Sequence, residues 1–235
     1  MHKITCLTAY DYPTAKILDD AGIDIILVGD SVGNVMLGHK STRSVSILDM
    51  IHHTKAVSNA VNKALVVADL PFLSVKKSSA AAYKDAVSLI KAGADAVKIE
   101  GIKHIGLIKK LIRNNIPVMG HIGYTPQSVN KPHIFGKTPA EKVALVKQAI
   151  LLDEAGVFSI VLELIDKEAA KRITNSVSAS TIGIGSGPYC SGQVMVTPDI
   201  IGLTAGKVPS FVRQYADVKK DISEAVKLYI KSVTS

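Results

Sequence analysis

Four short strand-like runs in this sequence each end on an acidic residue, and this pattern restricts the possible folds more than any other feature. Asp30 follows 25–28, Asp69 follows 65–68, Glu100 follows 96–99 and Glu163 follows 160–162. Apart from Lys98 the runs are continuously apolar, which is typical of strands that are buried on both faces of a parallel sheet. The pattern therefore predicts parallel strands that each carry an acid at the carboxyl end.

Predicted strands alternate with predicted helices along the whole chain. Ala-Gly pairs at positions 21, 92 and 155 indicate helix ends that come directly before a strand. The predicted strands lie, in chain order, at 3–9, 24–28 and 64–68, within 92–101, and at 116–119, 159–162, 181–184 and 193–196. Strand–helix units in this number, about eight, predict an α/β protein with a single (β/α)8 TIM barrel.

The barrel is predicted to occupy residues 1–235 as one domain, with a C-terminal helix at about 217–233. A doubly wound open sheet is the alternative arrangement of the same elements. That alternative is disfavoured because no Gly-x-Gly-x-x-Gly follows the first strand and no Walker lysine loop is present.

Composition restricts the partners and the location of the protein. The formal net charge is +8, but the lysines are dispersed along the chain, which is typical of a solvated surface rather than a nucleic-acid interface. No apolar stretch approaches the roughly 20 residues of a membrane span. Residues 1–5 do not resemble a signal peptide, so we expect a soluble cytoplasmic protein. Cys6 and Cys190 form neither a disulfide framework nor a zinc pattern.

The candidate chemistry lies at the carboxyl ends of the predicted strands, where barrels of this class place their active sites. The ends of strands two to six carry, in order, Asp30, Asp69, Glu100, His121 and Glu163. Carboxylates brought together repel one another unless a cation neutralises them, and Mg²⁺ is the first candidate for an oxygen-rich site. Lys98 shares a strand face with Glu100 and can supply positive charge to an anionic substrate.

Three features of the sequence have a second interpretation. A single acid after a strand is often a helix cap, although four in succession argue against that interpretation here. His121 is either a ligand contact or a buried structural histidine. The glycine-rich segment 183–187 either cradles a phosphate or forms a tight loop that requires glycine conformations.

Seven segments at successive strand ends resemble the ketopantoate hydroxymethyltransferase (3-methyl-2-oxobutanoate hydroxymethyltransferase) family. This family is a (β/α)8 group within the phosphoenolpyruvate and pyruvate barrel superfamily. Each motif alone is a weak signal, whereas the set in this order is specific. The segments are TAYDY (8–12), LVGDS (27–31), ADLPF (68–72), VKIEG (97–101), GHIGYTPQS (120–128), LE (162–163) and IGIG (182–185).

The resemblance implies a role for each matching residue. It implies that Mg²⁺ is bound by Asp30, Asp69 and Glu100. It implies that the 2-oxo acid is held by Asp30, Ser31, Asp69 and Lys98, with His121 lining the pocket. Glu163 is the implied proton acceptor. The implied reaction transfers a hydroxymethyl group from methylenetetrahydrofolate to 3-methyl-2-oxobutanoate, and yields 2-dehydropantoate for pantothenate biosynthesis through a Mg²⁺-stabilised enolate.

Some loops depart from the family pattern and keep alternatives open. The segments at 131–138 and 188–211 differ from the family motifs, while the acids at the strand ends are retained. One alternative is a related Mg²⁺-dependent lyase or mutase that acts on another 2-oxo acid. Another is a catalytically degenerate barrel that only binds a ligand. Family members are typically decamers, so the resemblance implies a homo-oligomer.

Overall fold

The computed structural model describes residues 3–129 and 131–235 of the chain. These residues fall into two compact units, Met1–Val194 and Met195–Ser235. The interpretation of residues 1–235 as one domain stays a prediction.

Eight strands form a closed barrel in which each strand pairs with the next one along the chain. Their bounds are β1 Ile4–Thr8, β2 Ile25–Val28, β3 Leu65–Asp69, β4 Ala96–Glu100, β5 Val118–Gly123, β6 Ser159–Glu163, β7 Ser180–Ile184 and β8 Gly192–Met195. The pairings from β1 to β8 are parallel. The predicted TIM barrel is confirmed, and the alternative of an open sheet is wrong.

Helices follow the strands in the first unit. Their bounds are α1 Tyr12–Asp20, α2 Val32–Val35, α3 Ile47–Ser58, α4 Phe72–Val75, α5 Ser79–Lys91, α6 Ile105–Arg113, α7 Pro139–Glu154 and α8 Lys167–Thr174. The short helices α2 and α4 were not predicted from the sequence. Four residues make a single turn, so no 3.6-residue periodicity can develop in the sequence.

The fifth strand differs from its predicted bounds. The prediction ended this strand at residue 119 and placed His121 after it, whereas β5 runs on to Gly123. Gly120 and Gly123 gave the appearance of a loop. Neither position has room for a Cβ, which would lie 2.9 Å from Leu152 Cδ1 at Gly120 and 2.2 Å from the Glu163 carbonyl oxygen at Gly123, so glycine suits both places in the strand.

The barrel interior sets the direction in which the site residues point. A hydrophobic cluster of strand residues includes Val67, Ala96, Met119 and Val161. Because strand side chains alternate between faces, the residue two positions further along each strand faces the same interior. Those residues are Asp69, Lys98, His121 and Glu163. The alternation therefore carries these polar groups to the interior at the carboxyl end of the barrel.

Asp19 at the end of α1 binds the connection that leads into β3. Its carboxylate accepts the backbone N–H groups of Asn62, Lys63 and Ala64 at 3.0, 3.0 and 2.8 Å. The side chain is buried, at 1% exposure. This carboxylate satisfies three N–H groups that would otherwise lack partners, so we expect it to stabilise the barrel end opposite the candidate site.

The second unit contains two helices, α9 at Thr197–Ile200 and α10 at Val218–Thr234. Asp217 caps α10, because its Oδ1 accepts the Lys220 N–H at 3.3 Å. The predicted C-terminal helix is confirmed to within one residue at each end. In the part of the chain that the structure describes, no helix is both long enough and apolar enough to span a membrane.

Candidate active site

Asp69 connects the ends of three neighbouring strands. Its Oδ2 accepts the backbone N–H of Asp30 at 2.9 Å, and its Oδ1 lies 2.8 Å from Lys98 Nζ. The Asp69 and Lys98 side chains are only 3% and 6% exposed. The barrel register places the two residues side by side on β3 and β4. The predicted residues on β2, β3 and β4 are therefore brought together.

His121 lies between two carboxylates. Its Nδ1 is 3.4 Å from Glu100 Oε1, and its Nε2 is 3.2 Å from Glu163 Oε2. The Glu163 side chain is 20% exposed, whereas that of His121 is 2% exposed. Glu163 is thus accessible to a molecule that enters the barrel mouth, while its partner is buried. Of the two interpretations of His121, this arrangement favours a histidine that holds site groups in place.

The buried carboxylates disturb one another electrostatically. Burial, followed by repulsion from Asp69 and Glu100, raises the pKa of Asp30 to about 7. Burial alone would lower the pKa of Lys98, but attraction to Asp69, Glu100 and Asp30 outweighs it and raises this pKa. Lys98 is therefore a permanent cation in a negative environment, and an additional cation would relieve the repulsion that Asp30 experiences.

The pKa of His121 is also raised, to about 9. Burial and Lys98 act to lower this pKa, but hydrogen bonding to Glu100 and Glu163 and the charge of Glu100 outweigh them. Burial raises the pKa of Glu100, yet the contacts with His121, the charge of Lys98 and the Gln127 N–H lower it overall. Glu100 is therefore ionised at neutral pH and bound to a positively charged imidazole.

Ser31, predicted to bind substrate, is held by Tyr10. The Tyr10 hydroxyl lies 2.7 Å from Ser31 Oγ, and the Tyr10 carbonyl lies 2.6 Å from His53 Nδ1. Burial raises the pKa of the Tyr10 phenol, so this group stays neutral and can donate. The sequence left two interpretations of Tyr10 open, a residue that shapes the pocket floor or one that simply packs. Its place in the first motif, directly after β1, was the available signal.

Gln127 is a site residue that sequence reasoning missed. It is 3% exposed and lies on the loop after β5. Its Nε2 donates to Asp30 Oδ2 at 2.9 Å and to the Leu70 carbonyl at 3.2 Å, and its backbone N–H donates to Glu100 Oε2 at 3.1 Å. The signal for Gln127 was only its membership of the motif at 120–128.

The glycine-rich segment after β7 forms a short loop that contacts the end of β6. Ser186 is 1% exposed. Its Oγ donates to the Leu162 carbonyl at 2.7 Å and accepts the Ile165 N–H at 2.9 Å. Gly185 and Gly187 have positive φ values of 62° and 78°. The loop after β7 is therefore held to the end of β6 by hydrogen bonds. Of the two interpretations of this segment, the tight loop is favoured.

The loop at 131–138, whose sequence differs from the family motif, is hydrogen-bonded to the end of β6. Phe135 donates its N–H to the Leu164 carbonyl and accepts the Asp166 N–H, both at 2.8 Å. Gly136 has a φ of 79°, and a Cβ there would lie 2.9 Å from both Ala169 and Leu145 side-chain atoms. The changed sequence thus still forms an ordered border close to Glu163.

Oxygen donors are available for a hard cation, although they do not form a complete protein cage. Among residues 3–129 and 131–235, no group of three or more His, Cys, Asp or Glu side chains is arranged as a metal site. Mg²⁺ usually binds one or two carboxylates and takes its other ligands from substrate and water. The Asp30 and Asp69 carboxylates lie at adjacent strand ends, and the raised pKa of Asp30 reflects its burial first and then the repulsion from Asp69 and Glu100. This donor set fits a divalent cation shared with a bound substrate.

Comparisons with known proteins agree with this arrangement. A family model described as ketopantoate hydroxymethyltransferase matches residues 1–235. A 3-methyl-2-oxobutanoate hydroxymethyltransferase of Thermoanaerobacter pseudethanolicus is 51% identical, over 98% of this chain and 86% of the relative. The enzyme of that name from Ignicoccus hospitalis is 49% identical, over 99% of this chain and 90% of the relative.

Solved structures show the same fold at low identity. A phosphonopyruvate hydrolase in complex with oxalate and Mg²⁺ superposes with a TM-score of 0.66 at 12% identity, over 99% of this chain and 82% of that one. The family match along the whole length and the curated relatives are far stronger findings. On these grounds, the chain belongs to the ketopantoate hydroxymethyltransferase family.

Proposed function

We propose that this enzyme transfers a hydroxymethyl group from methylenetetrahydrofolate to 3-methyl-2-oxobutanoate and so produces 2-dehydropantoate for pantothenate biosynthesis. The observation that carries the proposal is the contact between His121 and Glu163 in a member of this family, since it presents a partly exposed carboxylate beside a buried, charged site. A carboxylate at this position can accept a proton from a bound substrate.

Asp30, Asp69 and Glu100 are the proposed holders of Mg²⁺. When bound with the 2-oxo acid, the ion would act as a Lewis acid that withdraws electrons from the ketone and acidifies the C3 hydrogen. Asp30 and Asp69 have the oxygen donors that such an ion prefers. Glu100 is bound by His121 and by the Gln127 N–H, which suits a carboxylate that acts partly through water.

Lys98 and Ser31 are the proposed partners of the oxo-acid substrate. Lys98 Nζ is a buried cation that Asp69 holds in place, so it can attract the substrate carboxylate without reorganising. The Ser31 hydroxyl is oriented by Tyr10 and can donate a hydrogen bond to the same ligand. Both groups are fixed before the substrate arrives, which reduces the entropy lost on binding.

Glu163 is the proposed base, and it takes the C3 proton of 3-methyl-2-oxobutanoate. The electron pair of the broken C–H bond then forms the new carbon–carbon bond to the one-carbon unit. Both C–N bonds that join this unit to the folate break, and water supplies the hydroxyl oxygen. The two folate nitrogens keep the bonding electrons and take up two protons, one from water and one equivalent to the proton that Glu163 removed. His121 Nε2 lies 3.2 Å from Glu163 Oε2, and this contact would keep the carboxylate at the barrel mouth.

The direct test is an assay of the purified protein with 3-methyl-2-oxobutanoate, methylenetetrahydrofolate and MgCl₂. We expect Mg²⁺-dependent formation of 2-dehydropantoate, and exchange of the C3 proton in D₂O when the folate is omitted. Addition of EDTA should stop both. If neither product nor exchange is detected, the proposed activity is wrong and the degenerate-barrel interpretation is supported. Exchange with a different 2-oxo acid but not with this one would favour a related lyase or mutase.

Assembly and location belong to the same proposal. The family resemblance favours a homo-oligomer, with a decamer as the specific expectation, in the cytoplasm. Light scattering on the purified protein tests the oligomeric state, and a monomer at micromolar concentration would contradict it. Folate binding near the segment 131–138 is also proposed, and titration with the folate alone tests it.

A further inference from the structure

Gln127 contacts the ends of three strands to which it does not belong. Its side-chain amide bonds Asp30, which follows β2, and the carbonyl of Leu70, which follows β3. Its backbone N–H bonds Glu100, the last residue of β4. One residue of the loop after β5 therefore fixes Asp30 relative to Glu100, although β3 lies between their strands.

The chemistry of the amide suits a site that must stay negative. Asp30 and Glu100 repel each other, so holding them close requires donors. A lysine or arginine at this position would supply donors but would also cancel the charge that attracts a cation. The glutamine amide supplies donors and no net charge. Because Gln127 is buried, its bonds to the charged carboxylates are protected from competing water.

Arg43 holds Gln127 from the other side. Its Nε donates to the Gln127 carbonyl at 3.0 Å, and its guanidinium carbon lies 5.5 Å from the centre of the Phe72 ring. Arg43 belongs to a short 3₁₀ turn, Thr42–Ser44, on the connection after β2. The loop after β2 is thereby joined to the loop after β5, and the Gln127 N–H is kept directed at Glu100.

We propose that Gln127 is a positioning residue that sets the separation of Asp30 and Glu100 for a divalent cation, and that Arg43 holds Gln127 in that place. The inference rests on the proposed function, because it requires these carboxylates to serve a metal ion. Gln127 itself acts through Asp30 and Glu100 and does not take part in proton transfer.

The test compares Gln127→Met with the wild-type enzyme. Methionine has nearly the same shape but lacks the amide donors, so one charged hydrogen bond to Asp30 is lost. We expect Mg²⁺, titrated alone into the full-length metal-free protein by calorimetry, to bind about tenfold more weakly. The Mg²⁺ concentration needed for half-maximal C3 proton exchange should rise by the same factor, while the rate at saturating Mg²⁺ stays within about twofold. Gln148→Met on α7 is the matched control and should bind Mg²⁺ like the wild type.

Arg43→Met provides an independent variant in case the first one does not fold. It keeps the Gln127 amide but removes the bond to the Gln127 carbonyl and the contact with the Phe72 ring, so we expect Mg²⁺ affinity to fall about threefold. Unchanged Mg²⁺ affinity in the folded variants would overturn the inference and leave the proposed function intact. Absence of Mg²⁺ binding and of Mg²⁺-dependent exchange in the wild type would instead contradict the proposed function, and with it the inference.

Discussion

His121 Nε2 lies 3.2 Å from Glu163 Oε2, so the candidate base on β6 is held by a buried imidazole on β5. The same imidazole contacts Glu100 through Nδ1. The base and the charged group of carboxylates are thereby connected through one side chain. The site therefore has two sides, with buried charges on one side of His121 and an accessible carboxylate on the other.

The first prediction concerns Glu163→Gln. The amide keeps the size of the side chain but cannot accept the C3 proton, so exchange of 3-methyl-2-oxobutanoate protons into D₂O should fall about a hundredfold or more. Proton NMR measures this rate. Calorimetric Mg²⁺ binding serves as the control and should be unchanged. Exchange at the wild-type rate would exclude Glu163 as the base.

The second prediction concerns the buried ion pair of Lys98 and Asp69. Lys98→Met leaves the Asp69 carboxylate buried without its cation, which should lower the free energy of unfolding by about 3–5 kcal/mol. Urea titration of the metal-free protein measures the change. Lys142→Met is the matched control, because Lys142 pairs with Asp166 at a more exposed position and should cost about 1 kcal/mol or less. Equal losses in the two variants would show that burial does not strengthen this pair.

The third prediction concerns pH and Asp19. The Ala64 N–H, with those of Asn62 and Lys63, holds the pKa of Asp19 below its ordinary value despite burial. The unfolded chain then binds the proton more readily, so the stabilisation by Asp19 is fully present above the unfolded pKa of about 3.9. It is lost as the pH falls through the lower folded pKa.

Asp19→Asn should therefore lower the free energy of unfolding at pH 7 by about 1–3 kcal/mol and reduce the acid-induced loss of stability below about pH 4. Thermal unfolding at a series of pH values measures both effects. The neighbouring Asp20 is exposed and pairs with Lys16 on the same helix, so Asp20→Asn is the control. An unaltered pH profile in Asp19→Asn would contradict the assigned cause.

The fourth prediction concerns Gly123, which lies at the end of β5 with a φ of 95°. A Cβ there would be only 2.2 Å from the Glu163 carbonyl oxygen, so Gly123→Ala must displace the backbone of the base. We expect a loss of about 2–5 kcal/mol in stability and a clear fall in the exchange rate.

At Gly22 the φ is 83° and no atom lies within 4 Å of the added Cβ. Gly22→Ala should cost only about 1–2 kcal/mol and leave exchange unchanged; a similar loss of exchange in both variants would contradict the steric explanation.

Much of the fold was predictable because it depends on local patterns. Buried strands that end on acids identified β2, β3, β4 and β6, and Ala-Gly pairs identified the ends of the helices before β2, β4 and β6. The positions of Asp69, Lys98 and Glu163 followed from the alternation of side chains along a strand. The extension of β5 through His121 was not predicted, because strand glycines are also typical of loops.

The sequence by itself determined the barrel, the family and the set of charged residues at the strand ends. Only the tertiary structure decided which residues hold that set in place, because those contacts join distant parts of the chain. Gln127 bonds Asp30 across 97 positions, and Tyr10 meets Ser31 across 21. Neither contact produces a periodic pattern in the sequence, since each depends on how the closed barrel brings its loops together. The charged residues could be predicted from local patterns, whereas the neutral groups that position them could be identified only from the closed barrel.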